Sequence, residues 1–134
     1  MKNKLIFSSA LLLLLCTNVH AAILLDAQTC KVSMGNYSET LQLSPPCSVV
    51  KTVNDEGDFV QFGETKIYII SGAPAKLAEL EKRAFKESDR GCSLEYQGVI
   101  VVNNKFSLSK EKDRGLVCPY TGLDTKFYQQ YLQY

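Results

Sequence analysis

The stretch Thr65-Lys66-Ile67-Tyr68-Ile69-Ile70 decides the fold class. With one charge among β-branched and aromatic side chains, it reads as a central strand of a sheet. Just downstream the apolar spacing switches from two to near 3.6. After Pro74, a favourable first helical residue, Leu77, Leu80 and Ala84 fall on one face with Phe85 beside them. Glu79, Arg83 and Glu87 are spaced four apart on the outer face, and Asp89-Arg90-Gly91 stops the helix.

Upstream of the central strand, residues 59–62 form a partner across Gly63-Glu64. Between Cys30 and Leu43, two extended stretches flank Gly35-Asn36, and Leu41 and Leu43 alternate with Thr40 and Gln42. Ser44-Pro45-Pro46 ends that ladder, because consecutive prolines cannot donate to one. Val49, Val50 and Val53 suggest a further strand, followed by the turn formers Asn54-Asp55-Glu56-Gly57-Asp58.

Downstream, Leu94, Tyr96 and residues 99–102 return to β character, and Asn103-Asn104 reads as the turn into a strand at 105–108. Residues 110–114 read as an exposed charged loop. Thr121 and Asp124 suggest a capping pair for a C-terminal helix whose stripe is Leu123, Phe127 and Tyr131, widened by Tyr128 and Leu132. The sum is an α+β fold: a single small domain, mainly antiparallel sheet, with one mid-chain helix, one C-terminal helix and two disulfides.

The N-terminus has the order of a secretory leader: Lys2 and Lys4, an apolar run ending at Cys16, then Thr17-Asn18-Val19-His20-Ala21. The run is too short to span a bilayer, which takes about 20 apolar residues. Val19 and Ala21 are the small residues that place cleavage after Ala21. Residues 1–21 are therefore expected to be removed, leaving 22–134 as one domain, exported to the periplasm or secreted. A lipid-modified Cys16 is the alternative, disfavoured by Leu15 where such signals carry a small residue.

Cleavage changes the composition in two ways. Loss of Lys2 and Lys4 from 15 basic residues leaves 13 against 14 acidic ones, with no block of like charge, which argues against a nucleic-acid partner. Loss of His20, the sole histidine, removes the base of Ser-His-Asp and Cys-His sites and the commonest metal ligand. No cofactor, metal site or catalytic residue is expected, and the mature chain has no transmembrane segment.

Cys30, Cys47, Cys92 and Cys118 remain, an even set suited to an oxidising compartment. Three pairings are possible. Cys30 with Cys47 and Cys92 with Cys118 is favoured because each closes a short loop. No Cys-x-x-Cys is present to suggest a redox or zinc site.

Several short patterns carry little weight. Ser48-Val49-Val50-Lys51 and Ser107-Leu108-Ser109-Lys110 match Ser-x-x-Lys, but they lie on strands and lack the companion motifs of serine acylases. Asp55, Glu56 and Asp58 lack the spacing of a calcium loop and read as a turn. Asn36-Tyr37-Ser38 is a glycosylation triplet only in a host that glycosylates exported proteins.

The aromatic C-terminus is the more informative feature. Tyr120, Tyr128, Tyr131 and Tyr134 are the candidate binding residues, with Tyr128 and Tyr134 expected at the margin of the helix stripe or beyond it. The function expected is a protein-binding module of inhibitor or immunity type that occludes another exported protein, an enzyme of the cell envelope. The alternatives are a carboxylate-dependent hydrolase of envelope glycan, with no nominated pair, and a structural accessory of the envelope. Oligomeric state is left open.

Overall fold

Alternation along two long strands decides what each face of the main sheet meets. The computed structural model describes residues 22–53, 57–84 and 86–133. The leader with Cys16 and His20, the turn residues Asp55 and Glu56, Phe85 and Tyr134 lie outside the described residues. The long strands are β6 (Thr65–Ser71) and β7 (Ser93–Val102), antiparallel with Ile67 opposite Ile100 and Tyr68 opposite Val99. Successive side chains point to opposite faces. Ile67, Ile69 and Ile100 therefore enter one core, while Tyr68, Ile70, Val99 and Val101 enter another.

Four shorter strands complete this sheet. β4 (Ser48–Val49) and β5 (Val60–Phe62) pair with opposite ends of β6, and β8 (Lys105–Leu108) and β9 (Asp113–Val117) pair with opposite ends of β7. Asn103 and Asn104 both adopt positive φ, which suits the two-residue turn between β7 and β8. A second sheet, β1 (Leu24–Asp26), β2 (Lys31–Met34) and β3 (Tyr37–Thr40), packs Val32, Met34, Leu41 and Leu43 onto the Tyr68 face. The Ile67 face is covered by α2 (Thr125–Gln129) and the 3₁₀ turn that continues it, Gln130–Gln133, through Tyr128 and Tyr131. The α+β architecture is thus small sheet, large sheet and helix in three layers.

Both disulfides take the expected pairing. Cys30–Cys47 ties the entry of β2 to that of β4 inside the core on the Tyr68 face, and Cys92–Cys118 clamps the start of β7 to the end of β9. Between the small sheet and the large one, the buried Gln97 amide acts as a polar rivet. Its Oε1 accepts from the Gln42 N–H at 2.8 Å and its Nε2 donates to the Ser109 carbonyl at 3.0 Å. Neither end is left unpaired, as burial of an amide requires.

Three expectations need correction. The mid-chain helix α1 is a single turn, Leu77–Glu81, in which only Leu80 is buried. Leu77 is exposed and Ala84 already has φ +34°, so the apolar period at 77, 80 and 84 overstated the helix. The charged loop at 110–114 ends in strand β9, because Asp113 pairs with Tyr96 and Arg114 with Glu95 while Val117 enters the core. Asp124, not Thr121, caps α2: its carboxylate accepts from the Lys126 N–H at 2.9 Å, whereas the Thr121 hydroxyl donates to the Cys118 carbonyl. Strand β1, which precedes the first expected hairpin, was not anticipated.

Candidate binding site

The C-terminal helix packs with a different face from the one its spacing suggested. Tyr128, expected at the margin, is 0% exposed, and Tyr131 is equally buried, while Phe127, expected inside, is 41% exposed. The cause is the helix boundary. Starting at Asp124 and tightening to 3₁₀ after Gln129, the segment aligns positions three apart, 128 and 131, towards the sheet. Gly98 provides the seat for Tyr131, whose hydroxyl donates to Asp113 Oδ2 at 2.5 Å. Burial pushes the Tyr128 phenol up to about 12. Of the four nominated tyrosines, Tyr120 is the surface residue, 86% exposed on the turn after Cys118, and Tyr134 lies outside the described residues. Among the described residues, Tyr128 and Tyr131 share the core and Tyr120 stands at the surface.

Two cavities lie elsewhere, at opposite ends of β7. The first, about 360 Å³, is formed where two hairpins end together: Met34 and Tyr37 flank the β2–β3 turn, Asn104 belongs to the β7–β8 turn, and Lys105 and Phe106 follow it. Gly35 takes φ +58° in its turn, and Asn103 and Asn104 are also at positive φ in theirs, so both tips are tight. The Tyr37 ring is tilted against Phe106 with centroids 4.9 Å apart, although its residue is 54% exposed. Its hydroxyl donates to Glu39 Oε2 at 3.1 Å, and that hydrogen bond and the Glu39 charge raise its pKa. The result is an aromatic wall, held at its tip, beside a methionine and a lysine. Neither Tyr37 nor Phe106 was nominated from sequence; the only signal was an aromatic next to each turn.

The second cavity, about 420 Å³, opens where the segment from Ala73 to Arg83 faces Leu94, Glu95 and Arg114, with Ser44 on its rim. Glu95 is held on both oxygens: Oε1 accepts from the Ser44 N–H at 2.6 Å and Oε2 pairs with Lys112 Nζ at 2.6 Å. Gly72 makes room for it, since a Cβ there would stand 2.6 Å from Oε1. Burial alone would raise the Glu95 pKa, but the hydrogen bonds from Lys112 and Ser44 and the Lys112 charge bring it below the ordinary range. Such a carboxylate stays ionised at neutral pH, the reverse of what a glycosidase acid requires.

Asp89 stands near Cys92 and Cys118, with the three ligand atoms within 4.8 Å, but the two sulfurs are joined in the disulfide and offer no thiolate to a metal. The Ser48–Lys51 match has its groups engaged elsewhere. Lys51 pairs with Asp58 at 2.6 Å, and the Ser48 carbonyl accepts from the Ser71 hydroxyl. Among the described residues, no helix is long and apolar enough to cross a membrane. No protein-family profile, curated protein or solved structure matches the chain.

Proposed function

We propose that the chain is exported, loses residues 1–21, and acts as a protein-binding module of inhibitor type that occludes an enzyme of the cell envelope through the cleft at its hairpin tips. The observation that carries this reading is Tyr37, a large aromatic left half in solvent yet packed at a tilt against Phe106 beside Met34. A tyrosine whose position is already fixed offers contact area at small entropic cost, and methionine adapts its shape to an incoming apolar side chain. Two disulfides support an oxidising compartment, and Cys30–Cys47 anchors the strand that leads to this tip. The contact surface proposed is therefore the hairpin cleft rather than the tyrosine-rich C-terminus, where Tyr128 and Tyr131 belong to the core.

The test is capture from the exporter's own envelope fraction by the domain tagged at Ala22, with Tyr37→Ala in parallel. Support requires a stoichiometric partner with enzyme activity that the domain blocks, and loss of both capture and inhibition in the variant. Capture that ignores Tyr37→Ala would remove the cleft from the reading. A non-enzyme partner would point to the accessory role instead. Turnover of envelope glycan by the domain, abolished by one carboxylate substitution, would replace the binding reading with an enzymatic one.

A further inference from the structure

The cavity at the start of β7 carries an unbalanced charge. Five ionisable side chains line it: Lys76, Arg83, Arg114, Glu79 and Glu95. Glu95 is committed to Lys112 and the Ser44 N–H, and the Glu79 carboxylate accepts from the Lys76 N–H at 3.3 Å. Among the described residues, neither Arg83 nor Arg114 has an ion pair or a side-chain hydrogen bond. They reach the cavity from separate elements. Arg83 follows α1, and Arg114 lies on β9 directly opposite Glu95, so its side chain rises on the same face of the sheet.

The surroundings are built rather than loose. Ala75 donates its N–H to the Cys92 carbonyl, Ala73 donates to the Ser44 carbonyl, and the Cys92–Cys118 bond clamps the strands that carry Glu95 and Arg114. Glu95 lines the cavity with both oxygens occupied, by the Ser44 N–H and Lys112, and makes no ion pair with either arginine. The planar guanidinium group suits carboxylates and phosphates, two oxygens of which it binds through parallel hydrogen bonds. The volume, about 420 Å³, lies in the range of small-molecule sites.

We propose that this cavity, where Arg83 and Arg114 converge beside the tied Glu95, binds a small oxyanionic ligand through its carboxylate or phosphate group, with Lys76 at the rim. The inference is independent of the hairpin cleft, which lies at the other end of β7. It is tested by calorimetric titration of the folded domain, at low salt, with citrate as the polycarboxylate probe and pyrophosphate as the phosphate probe, and glucose as the neutral control. The expected result is saturable one-to-one binding of at least one anion and none of glucose. Binding should weaken by about tenfold in high salt, as screening of solvent-accessible charges dictates. Arg83→Gln and Arg114→Gln should each weaken it severalfold while leaving the far-ultraviolet spectrum unchanged, since both side chains are exposed. Preference between the probes identifies the carboxylate or the phosphate source. Absence of saturable binding by both anions, or binding that neither arginine substitution alters, overturns the proposal. Tyr37→Ala should bind the anion as the parent does, which separates this result from the fate of the cleft.

Discussion

The Tyr131 ring lies so close to the α-carbon of Gly98 that a Cβ built there would stand 2.7 Å from its Cδ1. Tyr131 cannot yield, because it is buried against the sheet and its hydroxyl donates to Asp113. Gly98→Ala should therefore destabilise the domain by about 1–3 kcal/mol, the usual cost of overpacking a filled core. Urea denaturation measures it. An unchanged midpoint would show that the helix does not rest on the sheet through this contact.

Tyr128 and Tyr120 should behave as opposites. Truncating the fully buried Tyr128 to Ala should cost about 3–5 kcal/mol, whereas Tyr120→Ala, at the exposed turn, should change stability by less than about 0.5 kcal/mol. Because burial raises the Tyr128 phenol from 10.0 to about 12, the unfolded chain releases that proton first. Stability from this group is complete below pH 10 and is lost as the pH climbs towards 12. Tyr128→Phe should flatten that alkaline decline, and a parallel decline in both proteins would contradict the burial of the phenol.

The same helix shows where sequence reading succeeded and where it stopped. The run at Ile67-Tyr68-Ile69-Ile70 announced a central strand because both of its faces are apolar, and Gly35-Asn36 and Asn103-Asn104 announced turns because backbone geometry demands such residues. Helix phase was harder. Four-residue spacing of Leu123, Phe127 and Tyr131 is sound for an α-helix, but this segment begins with Leu123 outside it and ends in 3₁₀ geometry. What admits Tyr131 to the sheet is the absence of a side chain at Gly98, more than thirty residues away in sequence. Both cavities were illegible for a related reason: Tyr37 meets Phe106 only because the small sheet packs on the large one, and Arg83 faces the cavity with Arg114 only because its segment is tied to Ser44 and Cys92, far away in sequence.

Loss of either disulfide should be felt strongly. Cys30–Cys47 and Cys92–Cys118 join residues 17 and 26 apart, and closing such loops limits the unfolded chain by about 3 kcal/mol each. Small domains hold only about 5–15 kcal/mol in total. Reduction of both bonds should lower the melting temperature sharply, with the paired substitutions Cys30→Ala and Cys47→Ala reproducing part of the fall. A melting temperature indifferent to excess reductant would mean that noncovalent packing alone holds the two cores.

Glu95 should make stability depend on acid pH. Its carboxyl titrates below the ordinary value of 4.5 because the contacts from Lys112 and Ser44 outweigh its burial. Protonation consequently favours the unfolded chain. The stabilisation is fully present above the unfolded value and disappears as the pH falls through the lower folded one. Glu95→Gln can still accept from the Ser44 N–H but loses the charge that faces Lys112 at 2.6 Å. At neutral pH the substitution should cost about 1–2 kcal/mol, between the values for exposed and buried ion pairs. Urea curves at pH 7 and pH 3 provide the check: the gap between parent and variant should narrow in acid. If it is as wide at pH 3 as at pH 7, the cost arises from packing against Gly72 and Ser44, and the Lys112 pair contributes little.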